Sequence, residues 1–202
     1  MKILYEDKDI VVCIKQRGVL SQYDEKKPDM ISLLKAECGS EIYPVHRLDK
    51  EVGGVMVYAK NQNSAAALSA QVADRSFDKI YLARVYGKPE NEEGTIEDWL
   101  YFDKSKNKSF TVKKERRGVK KALLEYELLE SDGSTSLVRV KLHTGRTHQI
   151  RVQFASRKMP LLGDRRYGAR DEKKMIALWS HCISFVHPSS KERLSFTEES
   201  DF

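Results

Sequence analysis

The feature that most limits the fold is a pair of alternating runs, residues 122–130 and 137–142, on either side of Asp132-Gly133-Ser134. Period-two alternation gives a strand one apolar and one polar face, and a short Asp/Gly turn between two such runs makes a β-hairpin. A hairpin alone is marginal, so its apolar face needs a larger sheet. Other runs supply it. Residues 10–15 are apolar, rich in β-branched side chains, and end at Gln16-Arg17-Gly18. Residues 55–59, 77–86, 95–102, 108–112, 178–186 and 192–196 also read as strands. Three segments read as helices. Residues 30–38 lie between a capping Asp29 and Gly39, an Ala-rich stretch capped by Asn61 or Asn63 reaches about Asp74, and residues 145–157 place Ile150 and Phe154 four apart on one face. The pattern predicts one α+β domain, residues 1–202, built on a large, mainly antiparallel sheet.

Charge narrows the partner. The chain holds 36 Lys+Arg against 30 Asp+Glu, a formal net charge of +6. Such a surface suits a polyanion, RNA or DNA above all, or is simply a solvated basic exterior. A cluster of basic residues from Lys104 to Lys121, with few acids between them, could follow a phosphate backbone. Cys13, Cys38 and Cys182 are odd in number, far apart and without a CxxC spacing, which argues against a disulfide framework and a cysteine-built metal site. Charges follow within a few residues of Met1, and no apolar run reaches membrane-spanning length. A soluble, cytoplasmic protein with no metal is expected.

Three short segments carry the chemistry. The first is His46-Arg47-Leu48-Asp49, followed by Val52-Gly53-Gly54 and an apolar strand. An Asp there is a surface ion pair, a turn residue, or a nucleophile or base on a loop anchored by the strand. The second is Lys79-Ile80-Tyr81, in which Lys79, Tyr81, Ala83 and Val85 share one strand face; by pattern alone Tyr81 packs in the core. The third runs from Thr144 to Arg151. His148 and Arg151 stand three apart, opposite Ile150 and Phe154, as a solvated basic face would.

These segments, in this order, resemble the catalytic centre of pseudouridine synthases of the RluA type, and the similarity runs from about Ile3 to near the C-terminus. The resemblance implies a pseudouridine synthase-like fold, with helices flanking the sheet and a central active-site cleft. It makes Asp49 the catalytic residue, Tyr81 the aromatic that packs on the target base and assists proton transfer, and Arg151 the ion-pair partner of Asp49. Arg47 enters the RNA stack and supports the flipped nucleotide, while His46, Arg146 and His148 are RNA-contacting positions. Extruding a stacked base is what chemistry at its glycosidic bond demands. The implied activity is isomerisation of a uridine in a ribosomal or transfer RNA stem-loop, with no cofactor; a monomer is the default expectation. A segment Pro160-Leu161-Leu162-Gly163-Asp164 with Tyr167-Gly168 also fits the family and reads as a tight structural turn. Two places depart from it: Val52-Gly53-Gly54 stands where Thr-Ser-Gly is common, and Lys15-Gln16 where Lys-Pro is common. Because the likeness starts at about Ile3, no N-terminal S4-type domain is expected. Two other readings stay open: a non-catalytic RNA-binding module, and a hydrolase using Asp49 with His46 or His148.

Overall fold

The chain opens with an antiparallel pair, β1 (Lys2–Glu6) and β2 (Ile10–Lys15). Every residue of β2 is buried, so it must be paired on both edges and covered on both faces. Helix α1 (Met30–Cys38) follows, starting where the Asp29 carboxylate accepts the Ser32 N–H at 2.9 Å and ending at Gly39 with φ of 61°. The two-residue β3 (Tyr43–Pro44) and the fully buried β4 (Gly53–Ala59) come next, and β4 pairs antiparallel with both β2 and β3. Of the two candidate caps for α2 (Gln62–Asp74), Asn61 is the one used; its side chain accepts the Ser64 N–H at 2.9 Å.

The computed structural model describes residues 1–202. Residues 1–79 and 179–201 form one compact unit and residues 80–178 another. β5 (Asp78–Tyr86) leads out of the first unit. The second unit then adds β6 (Glu93–Asp103), β7 (Lys108–Val112), β8 (Val119–Ser131) and β9 (Thr135–Leu142), in the antiparallel order β5-β9-β8-β6-β7. The β8–β9 hairpin stands where the alternation places it, closed around Asp132-Gly133-Ser134. Helix α3 (Gln149–Ser156) packs on this sheet through Val152, which joins Leu100, Ala122 and Tyr167 in one buried cluster. The chain returns to the first unit as β10 (Leu178–Val186), parallel to β4, and β11 (Arg193–Thr197), antiparallel to β10. The architecture is α+β and mixed but mainly antiparallel, as expected. No helix is long and apolar enough to cross a membrane.

One element differs. The helix expected over residues 145–157 begins only at Gln149, because residues 144–148 are tied into a loop. The Gln149 side chain accepts the Arg146 N–H at 3.0 Å and the Thr144 hydroxyl at 2.8 Å, and donates to the Leu123 carbonyl. His148 precedes the helix with φ of 54°. The expected solvated face is also absent: Gln149 to Phe154 are buried without interruption, Arg151 included.

Candidate active site

In the first unit, the segment carrying Asp49 is pinned at three points. The Ser21 hydroxyl donates to the Leu48 carbonyl at 3.0 Å and accepts the Leu48 N–H at 3.3 Å. The Val52 N–H closes a turn on the Asp49 carbonyl at 3.1 Å. Beneath the turn lies Lys15, with no exposed surface, donating to the carbonyls of Val52 at 2.6 Å, Gln16 at 3.1 Å and Lys50 at 3.2 Å. Burial pulls its ammonium down from 10.5 to about 8, against the opposing pull of Asp49 and Glu51. A half-buried carboxylate is thus held on a short rigid turn with a lysine charge close by.

His46 is fixed before this turn. Its Nε2 accepts the Val57 N–H at 3.2 Å and its ring packs on Phe77 with centroids 5.3 Å apart. Burial, then the nearby Lys79 charge, push its pKa down to about 3, so the ring is neutral and its proton sits on Nδ1. That Nδ1 is shielded from solvent and lacks a hydrogen-bond partner. Arg47, by contrast, is exposed.

In the second unit, Tyr81 lies on β5 opposite Val140 and is 5% exposed. Lys79, Tyr81, Ala83 and Val85 are all buried, as their common strand face predicts. Arg151 projects from α3 into a buried bidentate pair. Its Nε and Nη2 donate to the two Asp164 oxygens at 2.7 and 2.9 Å, with side-chain exposures of 3% and 0%. The Tyr167 ring lies 5.2 Å from the guanidinium carbon, and its hydroxyl accepts the Ser109 N–H at 2.8 Å and meets His148 Nδ1 at 3.0 Å. His148 is therefore a buried bracing residue, whereas Arg146 is half-buried and donates from Nε to the Lys121 carbonyl at 2.9 Å.

The first unit thus carries the Asp49 turn, and the second carries a buried Tyr81 and a buried Arg151. The family model for RNA pseudouridylate synthases matches residues 9–156. The chain belongs to this family. Among its relatives, the ribosomal large subunit pseudouridine synthase D of Borreliella burgdorferi is 40% identical over 192 residues, covering 89% of this chain and 58% of that protein. The dual-specificity RNA pseudouridine synthase RluA of Escherichia coli is 32% identical, over 99% of this chain and 93% of that protein. The fold matches that of human RNA pseudouridylate synthase domain containing 4, with a TM-score of 0.80 at 23% identity over 98% of this chain and 88% of that one. The pseudouridine synthase-like fold read from the sequence holds.

Two features of this chain were missed in the sequence. Lys15 looks like an ordinary strand terminus, and Asp164 like a turn residue; neither shows its partner locally. Where the family commonly has Ser, Gly53 has a reason to be Gly. A Cβ there would lie 2.5 Å from Cζ3 of Trp179, its register neighbour on β10. Gly54, at φ of 120°, is pressed against the Ser180 backbone. We expect Gly53→Ser to lower stability by about 1–3 kcal/mol in denaturant unfolding, through overpacking. Adding Trp179→Leu should recover part of that loss.

Asp7, Asp9 and His187 bring potential metal-ligand atoms within 4.8 Å of one another. His187 Nδ1, however, accepts the Ser189 and Ser190 N–H groups, which puts the ring proton on Nε2, 2.9 Å from Asp7 Oδ2. The Asp9 carboxylate is taken up by the Asn61 amide and the Ser64 and Ser189 hydroxyls, which tie these segments together.

The Lys15–Asp49 coupling has a measurable sign. By NMR, Lys15 should titrate near pH 8, and Asp49→Asn should lower that midpoint further, since a neighbouring carboxylate favours the ammonium. The folded value lies below the ordinary 10.5, so the unfolded chain binds more protons between the two. Stability should rise with pH from about 8 to about 10.5 on this account. An unmoved midpoint in Asp49→Asn would disprove the coupling.

Proposed function

We propose that residues 1–202 act as one catalytic domain that isomerises a specific uridine in ribosomal or transfer RNA to pseudouridine, as a cytoplasmic monomer. The target nucleotide is flipped out of its stack, the bond between N1 and C1′ breaks, the uracil turns, and C5 joins C1′. The hydrogen leaving C5 is balanced by one gained at N1. The reaction is redox-neutral and consumes no second substrate, so these side chains suffice for it.

Asp49 starts the reaction. Tyr81 packs on the flipped base and assists proton transfer, and Arg151 is assigned as the ion-pair partner of the catalytic carboxylate. Arg47, exposed beside the pinned turn, stacks into the space the base vacates. Arg146 contacts phosphate, while His46 and His148, placed inside rather than at the RNA-contacting positions the sequence suggested, brace the two loops. The observation that carries this reading is the Asp49 turn itself, a half-buried carboxylate whose backbone is held by Ser21 and Lys15. Such preorganisation suits attack or proton removal at a fixed point.

The test incubates total RNA from cells lacking this protein with the wild-type enzyme and maps pseudouridine. A new modified site supports the reading. Its absence, from folded protein that binds RNA, assigns the chain to a non-catalytic RNA-binding role. Free uracil or cleaved RNA assigns it to hydrolysis.

A further inference from the structure

The net charge of the chain comes from one place. Residues 104–121 contain nine Lys and Arg and a single acid, Glu115, a net of +8. The other 184 residues hold 27 basic and 29 acidic side chains, a net of −2. The positive charge is therefore not a diffuse exterior but a strip, and the second unit gives it a defined shape.

The strip covers the turn between β6 and β7, then the connection that crosses β6 to reach β8. That crossing lies over Tyr101, whose ring is 5.7 Å from the Arg116 guanidinium carbon and 3.8 Å from where a Gly118 Cβ would stand. The β6–β7 turn is anchored from outside. Arg166 donates from Nη1 to the carbonyls of Lys106 and Asn107 at 3.2 and 2.8 Å, and Ser109 binds Tyr167 and the Thr147 carbonyl. Eight of the nine cations are exposed and the ninth, Lys108, is half-buried. Only Lys106 and Lys121 meet a carboxylate, Asp103 at 4.0 Å and Glu97 at 2.9 Å. Cations at this density, rigidly mounted and largely without counter-charges, need a polyanion to relieve their mutual repulsion. The exposed Tyr101 among them favours a nucleic acid over an acidic protein, since bases also stack on aromatic faces.

We propose that this β6–β8 strip is the docking surface for the RNA backbone flanking the modified uridine, supplying affinity rather than chemistry. The inference rests on the RNA substrate proposed above. Arg146, tied to the Lys121 carbonyl, adjoins the strip and links it to the loop of the third sequence segment.

The experiment measures RNA binding directly, by fluorescence anisotropy of a labelled stem-loop across a salt series, alongside steady-state pseudouridine formation. The variant replaces Lys104, Lys113, Lys114 and Arg117 by Gln, all exposed and without partners. A control replaces Lys26, Lys27, Lys173 and Lys174, equally exposed but outside the strip. For the strip variant, Kd and KM should rise about ten-fold or more near physiological salt, and the slope of log K against log salt should shrink by about 3. Its kcat at saturating RNA should be unchanged, and the control should behave as wild type. Equal weakening in the control, or an unchanged slope in the strip variant, overturns the proposal. Should the quadruple variant fold poorly, Lys104→Gln and Lys113→Gln singly should each reduce the slope by about 1. Because binding is read apart from turnover, a protein that binds through the strip but makes no pseudouridine defeats only the proposed function.

Discussion

Asp49→Ala is expected to reduce pseudouridine formation by about 10⁴-fold or more, while the protein stays folded and still binds RNA. The loss follows from the role proposed for it, as the group that starts the reaction. The retained fold follows from how the turn is made: its closing bond uses the Asp49 carbonyl, and its other anchors are Ser21 and Lys15. Asp49→Asn should be as inactive as Asp49→Ala, because shape without charge supplies neither a nucleophile nor a base. Asp49→Glu tests position, since one added methylene on a rigid turn displaces the carboxylate by more than a reacting geometry tolerates. Nucleoside analysis of treated RNA gives the activity and anisotropy gives the affinity. Turnover by Asp49→Asn within about ten-fold of wild type would remove Asp49 from the chemistry.

Local signals in the sequence foretold local structure. Helix α1 begins at Asp29 and ends before Gly39 because both ends are written in neighbouring residues, a carboxylate that takes an N–H and a glycine that turns left-handed. β2 spans the predicted residues because a short β-branched run ended by a glycine turn has few alternatives. What was hidden depends on partners far along the chain. Lys15 is buried because three carbonyls, two of them about 35 residues away, receive its ammonium. Nothing in residues 10–18 shows that. Gly53 makes sense only beside Trp179, which is 126 positions later. The first turn expected of α3 gave way to a loop because the Gln149 side chain, rather than the helix ladder, satisfies Arg146. The roles proposed for the three segments come from their likeness to a family, since by pattern alone Tyr81 is core and Arg151 belongs on a wet surface.

Arg151 is where pattern and structure diverge most, and it leads to the second large expected effect. An arginine at 3% side-chain exposure stays in a core only if its charge is matched, and Asp164 matches it with both oxygens. Removing one member of a buried ion pair costs about 3–5 kcal/mol, because the remaining charge is left short of its partner. Asp164→Asn should therefore lose about that much stability, a fall in Tm of roughly 6–20 °C for a chain of this size. The amide keeps the shape but turns an N–H donor group toward a guanidinium that only donates. Calorimetry or chemical unfolding reads the cost, and a loss below about 1 kcal/mol would mean the pair is not a structural keystone. Activity should fall as well, since the guanidinium plane is set by the bidentate grip and stacked against Tyr167. The double variant Arg151→Met with Asp164→Asn separates the two effects. With the unmatched charge gone, stability should partly return, as it does when a buried pair is replaced together. Turnover should not return with it, because the positive charge assigned to the catalytic carboxylate is gone too. Recovery of both would make Arg151 a packing residue and nothing more.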